Sequence, residues 1–242
     1  MPLPGLLARL TADPGRPRLT WYGDDGERVE LSGHVLDNWV TKTANLLVEE
    51  YQAGPLTRVL VDLPVHWRSV VWAMATWRVG ACVAVPPAGR PDLVVTNEPA
   101  RHADVGADVV AVALPALARH VEGELPVGAV DATSAVMTYG DLLTWMPEPT
   151  PSAPAIKAGE QLVAHAALAE WAQGVLDGLG AFPAGGRVLV CLPADSLADA
   201  LAITLATLAR DGSVVLCAPG IDAVARQRIA RAELVVAQVV TA

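Results

Sequence analysis

Arg58-Val-Leu-Val-Asp-Leu-Pro64 and Arg187-Val-Leu-Val-Cys-Leu-Pro193 are one heptapeptide written twice, with a single substitution, in a chain of 242 residues. Each is a short apolar run rich in valine and closed by proline, the pattern of a buried parallel strand. Upstream of each copy lies an amphipathic helix carrying Leu and Trp three apart: Leu36 and Trp39 in the first, Leu168 and Trp171 in the second. Downstream, each has an apolar helix ending at glycine, Gly80 or Gly212, and then a short strand, Ala81–Val85 or Ser213–Cys217. Arg90-Pro-Asp-Leu-Val-Val-Thr96 is echoed by Arg231-Ala-Glu-Leu-Val-Val-Ala237. Matched elements in one order, about 130 residues apart, predict two copies of an α/β unit; the period is too long for a solenoid.

Working outward, Ser32–Gln52 places Val35, Leu36, Trp39, Val40, Thr43, Leu46 and Leu47 on one helical stripe, with Ser32 as N-cap. Strands that alternate with helices over both halves predict mostly parallel sheets flanked by helices. Between the halves, Pro147-Glu-Pro-Thr-Pro-Ser-Ala-Pro154 holds four prolines in eight residues, which suits neither a helix nor a central strand. The expected organisation is a first α/β subdomain at 1–146, an extended linker at 147–157 and a second subdomain at 158–242.

Hydrophobic residues make up 52% of the chain and charged ones 18%, which excludes disorder as the main state. The longest stretch free of Asp, Glu, Lys and Arg is the 11 residues Val79–Gly89, too short for a transmembrane helix. The N-terminal MPLPGLLARL lacks a basic region and is broken by Pro and Gly, a poor signal peptide, so a cytoplasmic protein is expected. The net charge of −9, with only Lys42 and Lys157 as lysines, argues against nucleic acid and membrane surfaces as partners. Cys82, Cys191 and Cys217 each sit in an apolar, strand-like run and read as reduced, buried thiols. No zinc-ligand spacing occurs, and no metal is expected.

Gly26-Glu27, Leu31-Ser32, Asn45-Leu46-Leu47, Arg58–Pro64, Trp77-Arg78-Val-Gly-Ala81, Val85-Pro86 and Leu93-Val-Val-Thr96 follow one another in an order that resembles the start of adenylate-forming enzymes. These are the acyl-CoA synthetases, luciferases and peptide-synthetase adenylation domains. The resemblance covers Leu19–Thr96 and, more loosely, Gln161–Val236, and implies a shortened relative of the family's large N-terminal domain. That domain contains two related α/β subdomains.

The departures from the family bear on function. Its phosphate-binding loop has the form [ST]-[ST]-G-[ST]-T-G-x-P-K-G before a strand ending in Thr-His. The matching place here is Thr150-Pro-Ser-Ala-Pro-Ala-Ile-Lys-Ala-Gly159, followed by Gln161-Leu-Val-Ala-His165. Ser152, Lys157 and Gly159 are what remains of the loop, and His165 is a candidate ligand-facing residue. Glycines that let backbone N–H groups close on a polyphosphate are replaced by Ala and Pro, and proline has no N–H to give. The family's later adenine-, ribose- and lysine-bearing motifs have no counterpart within the 242 residues. The resemblance therefore implies a scaffold without adenylation activity or nucleotide cofactor, binding a small acyl- or CoA-like molecule or a protein partner. The competing expectation is an active acyl-adenylating enzyme that completes its site with a partner chain.

Three further patterns have simpler readings. Asp195-Ser196 lacks the glycines of a nucleophile elbow and suits a helix cap. Gly178-Leu-Gly180 and Gly185-Gly186 follow a helix and precede a strand, the reverse of a dinucleotide-binding turn. Of the seven tryptophans, Trp39, Trp67, Trp77 and Trp171 fall on helical core stripes. Trp72, on a helix apolar nearly all round, is expected to be buried as well.

Overall fold

The computed structural model describes residues 3–87, 89–143, 145–148 and 150–240. The chain opens with α1 (Leu3–Leu10), β1 (Pro17–Tyr22), β2 (Arg28–Ser32), α2 (Gly33–Tyr51), β3 (Arg58–Asp62) and α3 (Trp67–Arg78). It continues through β4 (Cys82–Val85), β5 (Leu93–Thr96), β6 (Asp108–Ala111), β7 (Val130–Asp131), α4 (Ala132–Ala135), β8 (Pro154–Ala158) and β9 (Gln161–Ala164). The remaining elements are α5 (Leu168–Gly178), β10 (Arg187–Cys191), α6 (Leu197–Ala209), β11 (Ser213–Cys217), α7 (Ala223–Ala232) and β12 (Ala237–Val240).

Two compact units result, and neither is one continuous segment. One comprises residues 1–37, 64–70 and 169–242; the other comprises 38–63 and 71–168. The first holds a five-stranded sheet in the order β12-β10-β11-β1-β2, parallel except for β1–β2. The second holds a seven-stranded sheet in the order β7-β6-β5-β3-β4-β8-β9, parallel except for β8–β9. The fold is α/β with mostly parallel sheets, as the sequence predicts.

The expected boundaries need correction. A division at 147–157 leaves β1 and β2 in the first half, yet β1 pairs with β11, Leu19 against Val214. It also treats residues 154–157 as linker, whereas they form β8 against β4, Ile156 against Val83. The physical reason is that Ala155 and Ile156 are fully apolar and buried, which gives a strand despite the prolines around it. Pro149, within the expected linker, lies outside the described residues.

Both heptapeptides form central strands. β3 lies between β5 and β4, and β10 lies between β12 and β11, each in parallel register. The helices that follow leave in the same way. Ala81 N–H reaches back to Thr76 O at 3.0 Å and Gly212 N–H to Thr207 O at 2.9 Å, with Gly80 at φ 78° and Asp211 at φ 61°. These are left-handed helix exits closed by a bond to a carbonyl five residues back. Gly80 thus corresponds to Asp211, one residue before the glycine the sequence suggests. The Leu-Val-Val echo is also displaced. Leu93 begins β5, but Leu234 turns out of α7 at φ 51° and β12 starts only at Ala237.

Ser32 Oγ accepts the Val35 N–H at 3.4 Å, as an N-cap does. Leu36, Val40, Thr43, Leu46 and Leu47 are buried, but Val35 is exposed. Trp72 is 3% exposed. All three cysteines are free and buried, and burial raises their thiols, Cys217 to about 12. Among the described residues no helix is long and apolar enough to cross a membrane, and no three His, Cys, Asp or Glu side chains form a metal-ligand group.

Candidate functional site

The segment matched to the phosphate-binding loop folds into a hairpin. β8 and β9 pair in antiparallel register, Lys157 against Leu162 and Ala158 against Gln161. Only Gly159 and Glu160 connect them, with Gly159 at φ 56° in the left-handed conformation that such a turn favours. A ten-residue loop has no room there. Lys157 lies in β8 and its Nζ donates to Gly159 O at 3.1 Å. Ser152 lies in the turn ahead of β8, at the opposite end of that strand from Gly159.

His165 follows β9. Its Nε2 lies 3.0 Å from Gly80 O, and its backbone N–H donates to Ala153 O at 3.0 Å. Burial lowers its pKa, against backbone hydrogen bonds at Gly80 and Ala81 that raise it. The side chain is engaged with the protein's own backbone. Ser196 occupies the N-cap position of α6, but its side chain makes no capping bond, which corrects the expected role.

The carboxyl ends of the parallel strands carry a second polar group of residues. Asp62 closes β3 and is paired in register with Thr96, the last residue of β5. A 3-10 turn at Pro99–His102 then brings His102 Nε2 to 2.7 Å from Asp62 Oδ2. Thr96 Oγ1 accepts the Glu98 N–H at 3.0 Å, and Glu98 pairs with Arg101 at 2.5 Å. The sequence reading assigned no role to Asp62 or His102. The available signal was a carboxylate ending an otherwise apolar buried strand, which needs a partner.

In the other unit, Glu233 accepts hydrogen bonds from Tyr22 Oη at 2.5 Å and Arg28 Nη2 at 2.9 Å, and also pairs with Arg187. Burial alone would raise its carboxyl, but these donors hold it below the usual carboxylate range. The cluster lies beside a cavity of about 420 Å³ lined by Arg16, Glu30, Arg187 and Ser213. Its charges satisfy one another.

The two mostly parallel sheets and their strand order define an acyl-CoA synthetase-like N-terminal domain. The chain superposes on an acyl-CoA synthetase from Brucella canis with a TM-score of 0.78 at 18% identity, over 98% of this chain and 47% of that one. It matches an acetoacetyl-CoA synthetase from Streptomyces lividans at TM-score 0.69 and 18% identity, over 94% and 40% of the two chains. For the inhibitor-bound N-terminal domain of FACL13 from Mycobacterium tuberculosis the TM-score is 0.69 at 14% identity, over 98% and 62%. The chain thus spans about half the length of these solved proteins. No protein-family model matches it. A TIGR03089 family protein from Mycobacterium tuberculosis is 35% identical over 235 residues, covering 91% of this chain and 90% of that protein. The chain belongs to the TIGR03089 family.

Proposed function

We propose that this protein keeps the acyl-CoA synthetase-like scaffold as a binding protein for a small acyl- or CoA-like molecule and does not itself adenylate. The observation that carries this reading is the two-residue connection Gly159-Glu160 between β8 and β9. A polyphosphate is held by several backbone N–H groups converging from a glycine-rich loop, and a tight hairpin cannot present them. The lysine nearby is occupied with Gly159 O, and Glu160 adds a negative charge where a phosphate would need none. The matching positions of β3 and β10 in their sheets support reading the chain as a repeated α/β unit adapted to a new use. Three free, buried thiols fit a cytoplasmic setting.

ATP–pyrophosphate exchange with a panel of carboxylic acids is expected to stay at the level of the protein-free blank. Exchange that follows the pure protein and disappears in Lys157→Ala overturns the reading. In thermal-shift assays CoA or acyl-CoAs are expected to raise the unfolding midpoint, and ATP with magnesium to leave it in place.

A further inference from the structure

In the seven-stranded sheet the chain passes from β3 through α3 to β4 on one side, then lays β5 on the other side of β3. Where strand order reverses in an open α/β sheet, the connections diverge and the carboxyl ends of the flanking strands become the place for a ligand. This chain puts Asp62 and Thr96 there, in direct register. His102 reaches Asp62 from 40 residues away, and the two side chains are 16% and 26% exposed. Both are partly sheltered from water. A carboxylate bonded at Nε2–H selects one imidazole tautomer and leaves Nδ1 as the acceptor atom. Among the described residues no hydrogen bond uses His102 Nδ1 or Asp62 Oδ1.

We propose that Asp62 and His102 form a proton-transfer site for a small uncharged ligand whose hydroxyl or thiol meets His102 Nδ1. In that step the ligand's O–H or S–H bond breaks and its electron pair stays on the ligand. The proton binds Nδ1, and Nε2–H remains bonded to Asp62. His102 touches the ligand; Asp62 acts through it and is a positioning residue. The carboxylates of Asp62 and Glu98 disfavour a phosphate here, and Arg101 is already held by Glu98. The site stands apart from the β8–β9 turn by two strand spacings, about 10 Å, and does not depend on whether the chain adenylates.

Nitrogen-15 correlation spectra of the histidine rings read the tautomer directly. His102 is expected as Nε2–H in the intact protein and as a mixture in Asp62→Asn. Pantetheine, a neutral molecule carrying a thiol and hydroxyls, is expected to shift the His102 ring resonances saturably, and inorganic phosphate to leave them unmoved. In Asp62→Asn the pantetheine affinity is expected to fall about tenfold, the scale of one charge-assisted hydrogen bond. An Nδ1–H tautomer in the intact protein overturns the site, as does the absence of a pantetheine response. A response unchanged in both Asp62→Asn and His102→Gln overturns it too. If His102→Gln does not fold, the intact protein and Asp62→Asn decide the matter alone.

Discussion

His66 is 4% exposed, its Nδ1 accepts the Arg68 N–H at 3.1 Å, and its ring stands edge-on to Trp21 at 4.5 Å. Burial, with Arg68 nearby, pushes its pKa down to about 3 from an ordinary 6.5. In the unfolded chain the ring takes a proton below pH 6.5, which the folded chain refuses until about pH 3. Stability is therefore lost as pH falls through that window, by about 1.4 kcal/mol per unit from this group. Denaturant unfolding at pH 7 and pH 5 is expected to show a steeper acid loss in the intact protein than in His66→Asn. Equal slopes would remove His66 as the cause. Single residues were the least legible level of the sequence. Asp62 stood in plain view inside the repeated heptapeptide, but its partner His102 is supplied by a turn whose path no local pattern encodes. Ser152, Lys157 and Gly159 looked like a loop because their order, not their geometry, was visible.

At the scale of elements, the exits from α3 and α6 share one construction, including a threonine at the same place, Thr76 and Thr207. A Cβ on Gly212 would lie 2.6 Å from Gly186 O and 2.7 Å from Thr207 Cγ2, so the residue is fixed by crowding. At Gly159 nothing stands within 4 Å, and the constraint is the positive φ alone. Gly212→Ala is expected to lose about 1–3 kcal/mol by overpacking against backbone, whereas Gly159→Ala loses about 1 kcal/mol of backbone strain. Urea unfolding of the two variants orders these costs; a milder Gly212→Ala would contradict the crowding. Strands and helices were well marked in the sequence because apolar runs and prolines punctuate them. Register was not. The Leu-Val-Val echo matched letters across a helix exit in one half and a strand in the other, because both are apolar stretches following an arginine.

For the whole molecule, the chain crosses between its units at residues 37–38, 63–64, 70–71 and 168–169. A cut in the proline-rich stretch therefore does not separate two folded halves. Fragments 1–149 and 150–242, made separately, are expected to lack cooperative thermal unfolding, since the second lacks β1 and β2 and the first lacks β8 and β9. A cooperative transition in fragment 150–242 would restore the simple division. The α/β class was legible from alternation and punctuation, but the exchange of strands was not, because pairing over long separations leaves no periodic trace. That exchange also has a consequence in time. β1 is made about 195 residues before its parallel neighbour β11, Leu19 against Val214. At ordinary rates of synthesis one edge of β1 waits on the order of ten to forty seconds before its partner exists. During that interval the nascent chain carries an open strand edge, and what shields it meanwhile is a matter for the translating cell rather than for the finished fold.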